Sequence, residues 1–129
     1  MEYNSKLNDT LEYIEMNLED KLSLDGLAQK AHLSKYYYHR LFHQEVGESV
    51  TRYISRRRME RASEELVNTD QPIINIALKY QYGSQEAFTR AFLRNYGLTP
   101  GKYRRKYSSI KSGTVNIITY SSRFMNHAA

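Results

Sequence analysis

The residues best equipped for chemistry lie in two short stretches, Ser34–His43 (SKYYYHRLFH) and Ser84–Arg94 (SQEAFTRAFLR). His39 and His43 stand at i and i+4, the spacing at which two imidazoles on one helix face hold a metal ion. The chain has no cysteine, and no acid on that face completes a ligand set, so neither a metal nor a cofactor is expected. No Ser/His/Asp arrangement, phosphate-cradling glycine loop or paired carboxylate is present, which argues against an enzyme. What remains is a set of groups suited to base edges. Arg pairs bidentately with guanine and Gln with adenine, Glu accepts from cytosine N4, and Thr or an aromatic ring packs on a thymine methyl. The bland alternative is an ordinary solvated helix face.

Three adjacent tyrosines cannot all face one way on a helix that advances about 100° per residue. With Tyr38 at the origin, Leu41, Phe42 and Val46 share its stripe. Tyr36, Tyr37, Arg40 and His43 point away, and His39 lies on the border. In the second stretch Phe88, Ala91, Phe92 and Tyr96 form the stripe, while Gln85, Glu86, Ala87, Thr89 and Arg90 face outward, with Arg94 further along. The candidate base-reading set is therefore Tyr36, Tyr37, His39, Arg40, Gln85, Glu86, Thr89 and Arg90. Ser34, Lys35, His43, Arg52, Ser84, Arg94, Lys102 and Arg105 are candidates for phosphate contact. Arg56, Arg57 and Arg58, with Arg61, invite the same reading. Three consecutive arginines fan over about 200°, however, so at least one must face the protein or pair with Glu60, Glu64 or Glu65.

The elements that position these residues repeat. Residues 34–47 lie over 84–97 at an offset of fifty, matching Ser34 to Ser84, Tyr38 to Phe88, Arg40 to Arg90, Phe42 to Phe92 and Gly47 to Gly97. Upstream, residues 24–33 lie over 73–82 at an offset of forty-nine, and Gly83 absorbs the slip. Each copy reads as a short amphipathic helix, a break, a serine suited to an N-cap, and a second helix that stops at a glycine. Two short helices joined by a tight turn make a helix-turn-helix, whose second helix fits the DNA major groove. Between the copies, residues 50–67 read as one helix of about 27 Å, close to the ~34 Å between successive major grooves on one face of a duplex. Such a rod could hold two reading heads about one DNA turn apart. Residues 6–19, with Leu7, Leu11, Ile14 and Leu18 at helical spacing, and residues 99–107, opened by Thr99 and Pro100, flank the copies. The expectation is an all-α fold of about seven helices: a first subdomain 1–48, a linker helix 49–70, a second subdomain 71–107, and a tail 108–129.

Composition agrees with a polyanionic partner. Residues 1–33 hold three Lys/Arg against seven Asp/Glu, and the rest hold 16 against 7. A basic body suggests nucleic acid, although a basic pI also serves solubility. The acidic start is not a signal peptide, no apolar run approaches the ~20 residues of a membrane span, and cysteine is absent. A cytoplasmic chain is expected.

The stretch YGSQEAFTRAFLRNYGLTPGKYRR closely resembles the signature of the AraC/XylS family of bacterial transcription regulators, and residues 25–62 resemble that family's first helix-turn-helix. The resemblance covers about residues 7–107 and is closest to the small one-domain members. It implies a monomer that binds double-stranded promoter DNA in adjacent major grooves and activates transcription with RNA polymerase as partner. It also puts Tyr36, Tyr37, His39 and Arg40 at reading positions, and Gln85, Glu86, Thr89 and Arg90 on the second reading helix. Two departures stand out. His32 and Gln81 occupy turn positions where relatives usually have glycine, which serves a positive φ. The β-prone stretch TVNIITY in the tail falls outside the resemblance and could open a further, effector-binding domain. Other readings are a protein-interaction module acting mainly on polymerase, and a non-specific nucleic-acid binder.

Overall fold

A computed structural model of the chain describes residues 5–108, so the tail stretch TVNIITY lies outside the described residues. Among the described residues seven helices follow in order: α1 (Ser5–Met16), α2 (Leu24–Lys30), α3 (Lys35–Val46), α4 (Val50–Asn68), α5 (Ile73–Lys79), α6 (Gln85–Tyr96) and α7 (Pro100–Tyr107). No strand occurs among the described residues, so the all-α expectation holds. The chain divides into two compact units, Met1–Arg58 and Met59–Ala129, with the boundary inside α4.

In the first unit, Leu7, Ile14, Leu18, Leu27, Ala28, Ala31, Tyr38, Phe42, Val50 and Ile54 are buried. Helix α1 stops at Met16, three residues short of the expected end, where the Asn17 side chain donates to the Tyr13 carbonyl. Thr10, not Leu11, fills the core position on α1. The Tyr38 hydroxyl donates to Thr10 Oγ1 at 2.9 Å, and the Thr10 hydroxyl in turn donates to the Leu7 carbonyl at 2.8 Å. A buried phenol needs such a partner. Burial pushes the Tyr38 phenol up, and its hydrogen bond with Thr10 partly offsets the rise.

The three arginines each find a different partner, as their fan requires. Arg56 donates through Nε and Nη2 to Glu48 Oε2 at 3.1 and 2.7 Å. Arg57 grips both Glu15 oxygens, at 2.7 and 2.9 Å. Arg58 reaches the Leu18 and Asp20 carbonyls just past α1, at 2.8 and 2.6 Å. All three are thus engaged within the first unit, and the bonds run to Glu48, Glu15 and main-chain carbonyls. The Tyr53 hydroxyl also donates to Glu15, at 3.2 Å. Burial first, then the Glu15 charge, pushes the Tyr53 phenol up.

The second unit buries Met59, Ala62, Leu66, Val67, Ile76, Ala77, Tyr80, Phe88, Ala91, Phe92 and Tyr103. Phe92 stacks on Tyr96 at 4.5 Å and meets Tyr103 edge-on at 5.1 Å, which ties α7 to α6. Glu65 accepts from Lys79 at 2.9 Å and from the Tyr80 hydroxyl at 2.6 Å. Arg104 donates to the Leu66 carbonyl at 2.8 Å, a cation at the C-terminal turn of α4 where the helix dipole favours one.

Candidate nucleic-acid interface

The turn between α2 and α3 is a Schellman motif. The His32 N–H donates to the Gln29 carbonyl and the Leu33 N–H to the Ala28 carbonyl, both at 3.0 Å. The α5–α6 turn repeats both bonds, from Gln81 to Leu78 at 3.1 Å and from Tyr82 to Ala77 at 3.0 Å. The motif needs a left-handed residue, and His32 (φ 58°) and Gln81 (φ 73°) supply it. Both positions therefore keep the turn that glycine would make and carry its strain.

Each second helix then starts and stops alike. Ser34 Oγ accepts from the Tyr37 N–H and Ser84 Oγ from the Ala87 N–H, both at 3.1 Å. Gly47 (φ 94°) and Gly97 (φ 76°) end α3 and α6 in the left-handed region. The inward stripes also agree. Tyr38, Phe42, Phe88 and Phe92 are 0% exposed, and Phe42 packs on Tyr38 at 5.9 Å as Phe92 packs on Phe88 at 5.7 Å.

The outward face of α3 carries Tyr36 (71% exposed) and Tyr37 (50%), with Lys35, His39, Arg40 and His43 also exposed. The Arg40 guanidinium lies 5.7 Å from the Tyr36 ring centre, within cation–π reach. His39, Arg40 and His43 line one shallow groove together with Gln44, an exposed residue that the sequence reasoning left out. Its signal was available, since Gln44 stands one helical turn beyond Arg40. On α6, Gln85, Glu86, Arg90 and Arg94 are exposed, whereas Thr89 is half-buried. Glu86 sits in the first turn of α6, where a carboxylate also favours the helix dipole.

The candidate phosphate contacts differ in how they are held. Ser34 and Ser84 are committed as cap acceptors, yet each hydroxyl keeps a proton to donate. Lys35 lies 3.4 Å from Asp25, and Arg52 lies 3.9 Å from Glu48, so an incoming phosphate would compete with a carboxylate at both. Lys102 and Arg105 are exposed on α7. The two candidate sets belong to separate units: Tyr36, Tyr37, His39 and Arg40 to the first, and Gln85, Glu86, Thr89 and Arg90 to the second.

Two helix-turn-helix units, each with a capped second helix that shows a polar and basic outer face, define a DNA-binding domain of a transcription regulator. Comparison with known proteins gives the same class. A family model described as a helix-turn-helix domain matches residues 27–106. The chain is 43% identical over 104 residues to the uncharacterized HTH-type transcriptional regulator YbfP of Bacillus subtilis, covering 81% of this chain and 35% of that protein. It is 41% identical over 101 residues to the HTH-type transcriptional activator AarP of Providencia stuartii, covering 78% of this chain and 75% of that protein. Among solved structures, the C-terminal domain of AraT, a response regulator from Geobacillus stearothermophilus, superimposes with a TM-score of 0.76 at 31% identity, covering 82% of this chain and 88% of that one. The chain thus spans about a third of the length of YbfP and three quarters of AarP. It belongs to the AraC-type family of helix-turn-helix, DNA-binding transcription regulators. Among the described residues, no helix is long and apolar enough to cross a membrane.

Proposed function

We propose that this chain is a sequence-specific activator that reads two adjacent major grooves of promoter DNA, one with α3 and one with α6. The observation that carries the reading is the pairing of an identical scaffold with unlike outer faces. Both units spend the same Schellman turn, serine cap and glycine stop on presenting one helix. They then present different groups: Tyr36, Tyr37, His39 and Arg40 in one, and Gln85, Glu86, Thr89 and Arg90 in the other. Repetition of the frame with divergence of the face fits two half-sites of different sequence. Ser34, Lys35, His43, Arg52, Ser84, Arg94, Lys102 and Arg105 serve as positioning contacts to phosphate. The description of AarP as an activator supports activation. On this reading RNA polymerase is the second partner. The chain acts as a monomer.

Selection from a random duplex library by mobility shift, at two salt concentrations, tests this. A bipartite site with half-sites about 10 bp apart is expected. Arg40→Ala and Arg90→Ala should each cost about 1–3 kcal/mol, mostly at one half-site. Failure to enrich any sequence would refute specific recognition, and equal losses on all sequences would favour a non-specific binder.

A further inference from the structure

The chain has four histidines, His32, His39, His43 and His127, and two of them share one helix face. His39 and His43 stand one turn apart on α3, both are exposed, and both line the shallow groove that Arg40 and Gln44 complete. At this spacing the two Cβ atoms are about 5–6 Å apart. Imidazoles so placed converge on one ion at the ~2.0–2.1 Å of a zinc–nitrogen bond, as in metal sites built from two histidines one turn apart on a helix. Neither ring makes a hydrogen bond or ion pair among the described residues, so its nitrogens are open to a ligand. Arg40, between them in sequence, sets its guanidinium 5.7 Å from the Tyr36 ring centre, which draws the charge towards the start of α3. Among the described residues, no group of three or more His, Asp or Glu side chains could hold an ion, so a resident metal ligated by the protein alone has no place here. A two-nitrogen chelate needs no third protein group, because water fills the remaining positions.

We infer that His39 and His43 form a two-imidazole chelate for a divalent ion of the zinc, nickel or copper class on the outer face of α3, and that an ion held there excludes DNA from the first unit. Imidazole suits these ions, with copper(II) the tightest, whereas magnesium prefers oxygen. The chelate stands on its own; the exclusion rests on the proposed DNA reading, in which this helix face lies against the duplex. An ion with its water shell then stands between the two surfaces, and both imidazoles are already spent on it. Thr89 and Leu93 match His39 and His43 in the second unit, so α6 carries no such pair.

Zinc, nickel and copper(II) are titrated into the full chain by isothermal titration calorimetry, with magnesium as the negative control. A single ion per chain is expected, copper(II) tightest and magnesium unbound. His39→Ala and His43→Ala should each weaken binding at least about tenfold, the loss of a chelate's second arm. Both positions are exposed, and circular dichroism checks that the variants fold. His32→Asn and His127→Ala should bind as wild type. The chelate is overturned if no ion binds, if either single variant keeps full affinity, or if His32→Asn or His127→Ala loses it. The exclusion is read by fluorescence anisotropy on the duplex enriched by wild-type protein. With zinc at about ten times its dissociation constant, mutual exclusion lowers the apparent DNA affinity about tenfold, and EDTA should restore it. The His39→Ala/His43→Ala double variant, whatever its own affinity for DNA, should show no zinc dependence. DNA binding that is unchanged or tighter with zinc loaded, or a zinc effect that survives in the double variant, would overturn the exclusion. If no sequence is enriched at all, the DNA reading and the exclusion fail together, and calorimetry decides the chelate by itself.

Discussion

Replacing His32 and Gln81 with glycine should stabilise the protein. Both residues hold the left-handed position of a Schellman turn, at φ 58° and 73°. An L-residue there costs roughly 1–2 kcal/mol relative to glycine. Glycine recovers that strain but loses about 0.4–1 kcal/mol through the greater freedom of its unfolded chain. The net gain is about 0.5 kcal/mol for His32, because histidine is enriched in this region, and about 0.5–1 kcal/mol for Gln81, which lacks that preference. The turn bonds Leu33 N–H to Ala28 and Tyr82 N–H to Ala77 are main-chain and survive both changes. The double variant should gain about 1–1.5 kcal/mol, since the two turns lie in separate units and bond to different residues, so their changes add. Urea unfolding followed by circular dichroism reads this as a higher midpoint at unchanged slope. Gly47→Ala and Gly97→Ala provide the reverse test. An added Cβ meets nothing within 4 Å at either glycine, so any loss, about 1–2 kcal/mol, reports backbone strain alone. A double glycine variant no more stable than wild type, or neutral alanine variants, would refute the strain argument.

Two further outcomes follow from the packing. Tyr38→Phe should cost about 1 kcal/mol at neutral pH through the lost bond to Thr10. It should also flatten the alkaline loss of stability: the folded phenol is held above its ordinary value of 10.0, so the unfolded chain releases its proton first and stability falls as pH rises beyond that value. Arg57→Gln should cost about 1–2 kcal/mol in urea, because it leaves the part-buried Glu15 carboxylate without its two-pronged partner, yet leave the salt dependence of DNA binding unchanged. The exposed Arg94→Gln should do the opposite, keeping stability and lowering the salt slope by about one; a lowered slope in Arg57→Gln would return that residue to the DNA face.

How much of this could be read in the sequence depends on the range of the interaction that decides each feature. Caps, glycine stops and inward stripes are decided within about one helical turn, so Ser34, Ser84, Gly47, Gly97, Tyr38 and Phe88 were legible from spacing alone. The burial of Thr10 is decided by the Tyr38 hydroxyl 28 residues away, and helical periodicity favoured Leu11 in its place. The arginine run was legible as a fan but not as three bonds, because Glu15 stands 42 residues from Arg57 and Leu18 stands 40 from Arg58. On the reading faces, a helical wheel placed Tyr36, Tyr37, Arg40 and Arg90 outward as found. It could not rank Thr89, one residue past the core Phe88, whose half-burial depends on packing from other elements.

The contrast between the units bears on what the outer faces are for. Where the backbone is special, the units agree in conformation even when the residues differ: His32 and Gln81 take the same left-handed turn without glycine's help. Where a side chain faces the core, they agree in shape, and they differ in chemistry only when a local partner exists. Tyr38 keeps a hydroxyl because α1 offers Thr10, whereas Phe88 dispenses with one among Tyr82 and Phe92. Neither rule constrains an outward position, yet the outward positions differ most, with the exposed Tyr36 and Tyr37 set against the exposed Glu86 and the half-buried Ala87. Solvation alone tolerates any polar residue there but does not call for two solvent-exposed aromatic rings, one of them beside a guanidinium. On the proposed reading the partner is duplex DNA, whose major groove offers both hydrogen-bonding edges and methyl groups.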